Sequence, residues 1–129
     1  MTKYVLDSYA WIEYFTGGRK GEKVREIIEN PSNEVFTSVI TISEVCAKTK
    51  KEKRDHEEAF RKIMALSQVE GIEPVLAKEA GVFRQETREK VPDFGMADSI
   101  IFITARKLGA KIVSGDKHFK NFKEAVFLD

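Results

Sequence analysis

Met96-Ala97-Asp98-Ser99-Ile100-Ile101-Phe102-Ile103-Thr104-Ala105-Arg106-Lys107-Leu108-Gly109-Ala110-Lys111-Ile112-Val113-Ser114-Gly115-Asp116 holds a helix, its stop and a strand, with an acid at each end. Met96 to Leu108 is apolar around most of its circumference, the pattern of a helix buried on nearly all sides. Gly109 suits the left-handed cap that ends such a helix. Lys111-Ile112-Val113 then reads as a strand that runs out into Ser114-Gly115-Asp116. Asp98 lies in the first helical turn, where the macrodipole favours negative charge.

The same grammar recurs upstream. Tyr4-Val5-Leu6 is a short apolar run without polar alternation, as in a strand covered on both faces, and it ends at Asp7 before a helix over Ser8 to Phe15. Gly17-Gly18 breaks that helix, and Lys20 to Asn30, with Val24, Ile27 and Ile28 at helical spacing, stops at Asn30-Pro31. Glu34 to Thr37 reads as a second strand. A helix then starts near Thr41 and turns Ile42, Val45 and Cys46 inward, with Asp55 to Gln68 as the second arm of a helical hairpin. Gly71-Ile72-Glu73-Pro74 is expected as a third strand, Ala77 to Glu89 as a helix, Val91 to Gly95 as a loop and Ala125 to Leu128 as a fifth strand. Strands alternating with helices imply a three-layer α/β/α fold around a parallel sheet of about five strands.

A chain of 129 residues suits one domain, residues 1–129. The longest apolar run, Ile100 to Ile103, is too short to cross a membrane. The start meets Asp7 too early for a signal-peptide core, so a cytoplasmic protein is expected. A lone Cys46 forms no internal disulfide and reads as a small buried hydrophobe. A net charge of +1 excludes the chain as a whole from acting as an electrostatic nucleic-acid trap. Positive charge is instead local, in one run over Lys48, Lys50, Lys51, Lys53 and Arg54 and another over Lys117, His118, Lys120 and Lys123. The first reads as a solvated helix face, and the second begins beside an acid, where cations would attract a phosphodiester.

Asp7, Glu44, Asp98 and Asp116 each fall where a strand meets a helix or where a helix begins. In an open parallel sheet these junctions share one edge, the edge at which such folds bind ligands. Each acid also has a local reading. Asp7 and Asp116 can cap the turns after them, and Thr41-Ile42-Ser43-Glu44 matches a capping box. Gathered on one rim, carboxylates about 5 Å apart at an effective dielectric near 20 repel by about 3 kcal/mol per pair. A divalent cation relieves that repulsion, and oxygen ligands point to Mg²⁺ or Mn²⁺ in the service of phosphate-ester hydrolysis. His56 and His118 sit on polar segments, too isolated to suggest zinc. Ser114 is either a plain turn serine or a hydroxyl that orients water or a phosphate oxygen. A Gly-x-x-x-x-Gly-Lys-Ser/Thr loop is absent, and Tyr9 stands where a phospho-aspartate phosphatase needs a second acid.

Four stretches, Tyr4 to Ile12, Ile42-Ser43-Glu44-Val45, Ala97 to Ile101 with Thr104-Ala105-Arg106, and Ser114 to Phe119, resemble the signatures of PIN-domain ribonucleases, in order and over nearly the whole chain. The compact form is similar to VapC-type toxins of prokaryotic toxin–antitoxin pairs. The resemblance implies endonucleolytic cleavage of RNA by a metal-activated water, a homodimer, and a small antitoxin that blocks the site. It carries the acidic quartet that binds Mg²⁺ or Mn²⁺ onto Asp7, Glu44, Asp98 and Asp116, and the nearby hydroxyl onto Ser114. Asp7 and Asp98 are expected as primary ligands, Glu44 as a ligand or proton acceptor, Asp116 as an outer or second-ion ligand, and Lys117 and His118 as phosphate contacts. Asp93 reads as a helix cap after Pro92 or as a peripheral ligand, and Lys48 to Glu58 as a surface for RNA or a partner. The rival readings are a non-catalytic PIN-like binding module and a structure-specific DNA nuclease of related fold.

Overall fold

The computed structural model describes residues 1–129. At its centre lies β1 (Thr2–Leu6), paired in parallel with β2 (Asn33–Ser38) on one side and β4 (Lys111–Ser114) on the other. The edges are β3 (Gln68–Glu70) beside β2 and β5 (Ala125–Phe127) beside β4. The order is therefore β3-β2-β1-β4-β5, parallel throughout. Because side chains alternate along a strand, the three central strands feed two cores. Val5, Phe36 and Ile112 face α5 (Pro74–Thr87) and α6 (Met96–Leu108). Leu6, Val35 and Val113 face α1 (Ser8–Thr16), α2 (Gly18–Glu29), α3 (Val39–Lys51) and α4 (His56–Leu66). The expected α/β/α architecture follows directly from that alternation.

The long helix of the opening stretch is as enclosed as its composition implies. Every residue from Ser99 to Ala105 is buried, and Gly109 closes the helix at φ 66° in the left-handed region. No helix is long and apolar enough to cross a membrane.

Some boundaries differ from expectation. The third strand is Gln68–Glu70, not Gly71 to Pro74, and Pro74 instead opens α5. Proline's fixed φ and missing N–H suit a first helical position, so the Gly-x-x-Pro stretch leads into a helix. An edge strand of one exposed and two half-buried residues carries little apolar signal of its own. The third helix begins at Val39 rather than near Thr41, with the Ser38 hydroxyl accepting from the Ile40 N–H at 3.3 Å. Thr41 is thereby buried within the first turns and Glu44 caps nothing. Asp55 is the N-cap of α4, accepting from the Glu58 N–H at 3.0 Å, and α4 ends at Leu66. Cys46 is only half-buried.

A polar chain ties the α1–α4 side together. The Trp11 indole N–H donates to Thr37 Oγ1 (3.1 Å), Thr37 Oγ1 lies 2.8 Å from Ser67 Oγ, and Ser67 donates to the Ile63 carbonyl (2.7 Å). Since Ser67 spends its proton on Ile63, the Thr37 hydroxyl must donate to Ser67 and accept from Trp11. Trp11 and Thr37 are both fully buried. Thr37→Val keeps the shape but leaves the indole N–H without an acceptor, so a loss of about 1–3 kcal/mol is expected in urea melts. A loss under about 0.5 kcal/mol would show that the chain is replaceable by packing.

Candidate metal centre

The chain leaves β1 toward β2 but leaves β4 toward β5, so the crevice between the C-terminal ends of β1 and β4 is the switch point of the sheet. Asp7 directly follows β1, and Asp116 lies just beyond β4. The first turn of α6 delivers Asp98 to the same rim, and α3, starting right after β2, brings Glu44. Their charges are felt across that rim. Asp98 and Asp116 each act on Asp7 and on Glu44, and Asp116 acts on Asp98.

Local hydrogen bonds hold three of these carboxylates. Asp7 Oδ1 accepts from the Ala10 N–H (2.9 Å), Asp98 Oδ2 from the Gly95 N–H (3.2 Å) and Asp116 Oδ1 from the His118 N–H (2.9 Å). The capping reading and the convergent reading are thus both correct for them, since one oxygen caps while the group faces the crevice. Ser114 is fully buried, and its hydroxyl accepts from the Asp116 N–H at 2.9 Å while also acting on Asp7. It fixes the acidic loop rather than meeting solvent.

Burial dominates the electrostatics. Asp7, 4% exposed, is pushed up to about 7 by loss of hydration, with the charges of Asp116 and Asp98 adding and the Ser114 and Ala10 hydrogen bonds opposing. Glu44 is raised chiefly by burial, then by Asp98 and Asp116. Asp98 is raised by burial and by Asp116, against the Gly95 N–H and His118.

The residue least legible in the sequence is His118. Far from isolated, it lies on a 3₁₀ turn (Lys117–Phe119) anchored by buried Phe119, which folds the imidazole back over the acids. Nδ1 lies 3.0 Å from Asp98 Oδ2 and 2.9 Å from Asp116 Oδ1, and Nε2 lies 3.0 Å from Asp93 Oδ2. Burial alone would lower the imidazole pKa, but Asp93, Asp116 and Asp98 together outweigh it and the net shift is upward. Asp93 is lowered mainly by His118. Asp93 does not cap α6, whose N-cap is Gly95. It pairs instead with His118 and with exposed Lys117 at 3.7 Å. The available signal was Asp116-x-His118 followed by an apolar anchor.

Tyr9 is also part of this rim. A Cβ on Gly115 would sit 2.2 Å from its ring, so glycine is required there for Tyr9 to lie against the acidic loop. The Tyr9 hydroxyl accepts from Lys20 Nζ at 2.9 Å, which brings a cation to the rim. By contrast, the Lys48 to Arg54 run lies at the end of α3 and the turn beyond it. Since α3 starts at the acidic edge and spans about 1.5 Å per residue, that run lies toward the opposite edge of the sheet.

Asp98, Asp116 and His118 bring donor atoms within 4.8 Å of one another, a set that fits a divalent cation, and Asp7 and Glu44 feel the charges of the same two aspartates.

The chain belongs to the PIN domain family, whose profile matches residues 4–125. Among solved structures it is similar to a toxin–antitoxin complex from Klebsiella pneumoniae, with 24% identity, a TM-score of 0.75 and 98% of each chain covered. VapC20 from Mycobacterium tuberculosis, described as a sarcin–ricin loop cleaving toxin, is 18% identical with a TM-score of 0.75, over 95% of this chain and 98% of that one. DNA-bound VapBC from Salmonella typhimurium is 20% identical with a TM-score of 0.74, over 98% and 97%. At these identities the likeness establishes the fold. No curated protein matches the chain.

The Asp7 shift has a definite sign. Between its ordinary 3.8 and about 7 the unfolded chain ionises while the folded protein keeps the proton. Stability in EDTA should therefore fall as pH rises through that window and level off above it, by about 4 kcal/mol from this group. Asp7→Asn should flatten the slope in denaturant melts from pH 4 to 8. An unchanged slope would refute the assignment.

Proposed function

We propose that this PIN-domain protein is a Mg²⁺- or Mn²⁺-dependent endoribonuclease and the toxin of a VapBC-type pair, acting on RNA, restrained by a small antitoxin and working as a homodimer. The observation that carries the reading is the convergence of Asp7, Glu44, Asp98 and Asp116 on the switch-point crevice of a PIN fold. The description of VapC20 as a cleaving toxin supports the nuclease reading, and the toxin–antitoxin complexes among the structural neighbours support the partner.

A bound divalent cation would neutralise these carboxylates and stabilise charge on a phosphodiester. Asp7 and Asp98, the more enclosed aspartates, would be primary ligands, and Asp116 would complete the set. Glu44, half-buried and raised above the usual carboxylate range, would take a proton from the attacking water. Ser114 is a positioning residue that holds the Asp116 backbone and faces Asp7. A cleft of about 660 Å³ adjoins His118 and carries Lys90 and Lys117, cations suited to an incoming phosphate backbone.

Asp98→Asn is expected to lower cleavage of single-stranded RNA at least about a hundredfold while circular dichroism stays native. Full Mn²⁺-supported activity in that variant would overturn the assignment, and preferential cutting of DNA flaps would replace RNA by DNA as substrate. Mn²⁺ at a hundredfold excess over its Kd should stabilise the wild type by about 2.7 kcal/mol. An unchanged melting curve in millimolar Mn²⁺ would count against a formed metal centre.

A further inference from the structure

We propose that His118 is a nitrogen ligand of the divalent cation in this centre, oriented from behind by Asp93, and that it tilts the site from Mg²⁺ toward Mn²⁺ and later first-row ions. The inference rests on the metal-dependent reading above. Nδ1 of His118, a carboxylate oxygen of Asp98 and one of Asp116 lie within 4.8 Å of one another. The two separations from Nδ1, 3.0 and 2.9 Å, are those of neighbouring donors on one ion. Donors at right angles on bonds of about 2.1 Å stand about 3 Å apart.

The surroundings of the ring support the same reading. Both ring nitrogens are sealed from solvent, and each faces carboxylate oxygens at 2.9–3.0 Å, Nε2 that of Asp93 and Nδ1 those of Asp98 and Asp116. With Nε2–H given to Asp93, Nδ1 turns a lone pair toward two carboxylates, and an ion between them satisfies all three donors. Asp93 stands at Nε2, 3.0 Å away, the place where a carboxylate orients a metal-binding imidazole and fixes its tautomer. The ring is also held in place by packing, with Phe94 edge-on at a centroid distance of 6.5 Å and Phe119 buried next in sequence. Carboxylates alone suit Mg²⁺, whereas an imidazole favours transition ions in the order Mn²⁺ to Ni²⁺.

The competing role for this side chain is a resident positive charge that neutralises Asp98 and Asp116. The two roles predict opposite signs. A ligand strengthens metal binding, and a counter-charge competes with it. Mn²⁺ binding would be measured by calorimetry on the wild type, His118→Asn, Asp93→Asn and Asp98→Asn, with folding checked by thermal melts. Pulsed electron paramagnetic resonance of bound Mn²⁺ would read ¹⁴N coupling. The wild type should show imidazole coupling that His118→Asn loses, with Mn²⁺ affinity falling at least about tenfold and Mg²⁺ affinity falling less. Asp93→Asn should weaken Mn²⁺ while keeping the coupling. Mn²⁺ that binds in an Asp98-dependent way without ¹⁴N coupling, or binds more tightly to His118→Asn, overturns the ligand role and leaves the metal centre standing. Binding indifferent to Asp98→Asn overturns both.

Discussion

Like-charge repulsion at the switch point is the constraint around which this molecule is organised. Carboxylates do not gather in a partly dehydrated crevice unless something holds them there, and here the restraint is the backbone. The Ala10, Gly95 and His118 amides each grip one aspartate oxygen, so the hydrogen bonds that start α1, α6 and the 3₁₀ turn also aim the acids. The cores on the two faces of the sheet keep those three starts in register. Asp7 bears the largest cost, because it has the least water around it.

The same geometry explains which parts of the chain could be read from its letters. Val5-Leu6-Asp7 and Ile112-Val113 followed by Asp116 announce strands that run into acids, and a parallel sheet allows only one edge for those acids. The α6 stretch is apolar enough to be recognised as an enclosed helix without any tertiary information. Glu44 lies on the helix expected to carry it, though it does not cap that helix. The box Thr41 to Glu44 matches a helix start by pattern, yet Ser38 takes the capping role and the helix begins earlier. Strand β3 lies a few residues before the expected Gly71 to Pro74 because its partner β2, and not its own composition, makes it a strand.

His118 and Asp93 show where sequence reading stops. By its own segment His118 reads as a phosphate contact and Asp93 as a cap or peripheral ligand, and each reading is reasonable locally. What brings them together is the 3₁₀ turn after Asp116, which depends on burying Phe119 against the α6 side of the sheet. Spacing along the chain holds no record of that contact. Tyr9 and Gly115 are a similar case, since the need for glycine becomes visible only when an aromatic ring lies where its side chain would be.

The brevity of the outermost strands has a consequence for how copies of this chain can meet. Each margin of the sheet offers only three residues of backbone, Gln68–Glu70 on one side and Ala125–Phe127 on the other. So short a stretch is a poor template for joining two sheets into one continuous ribbon. Any pairing of copies would therefore draw on surfaces other than the sheet margins. A dimer built that way would leave both crevices with their backbone geometry intact.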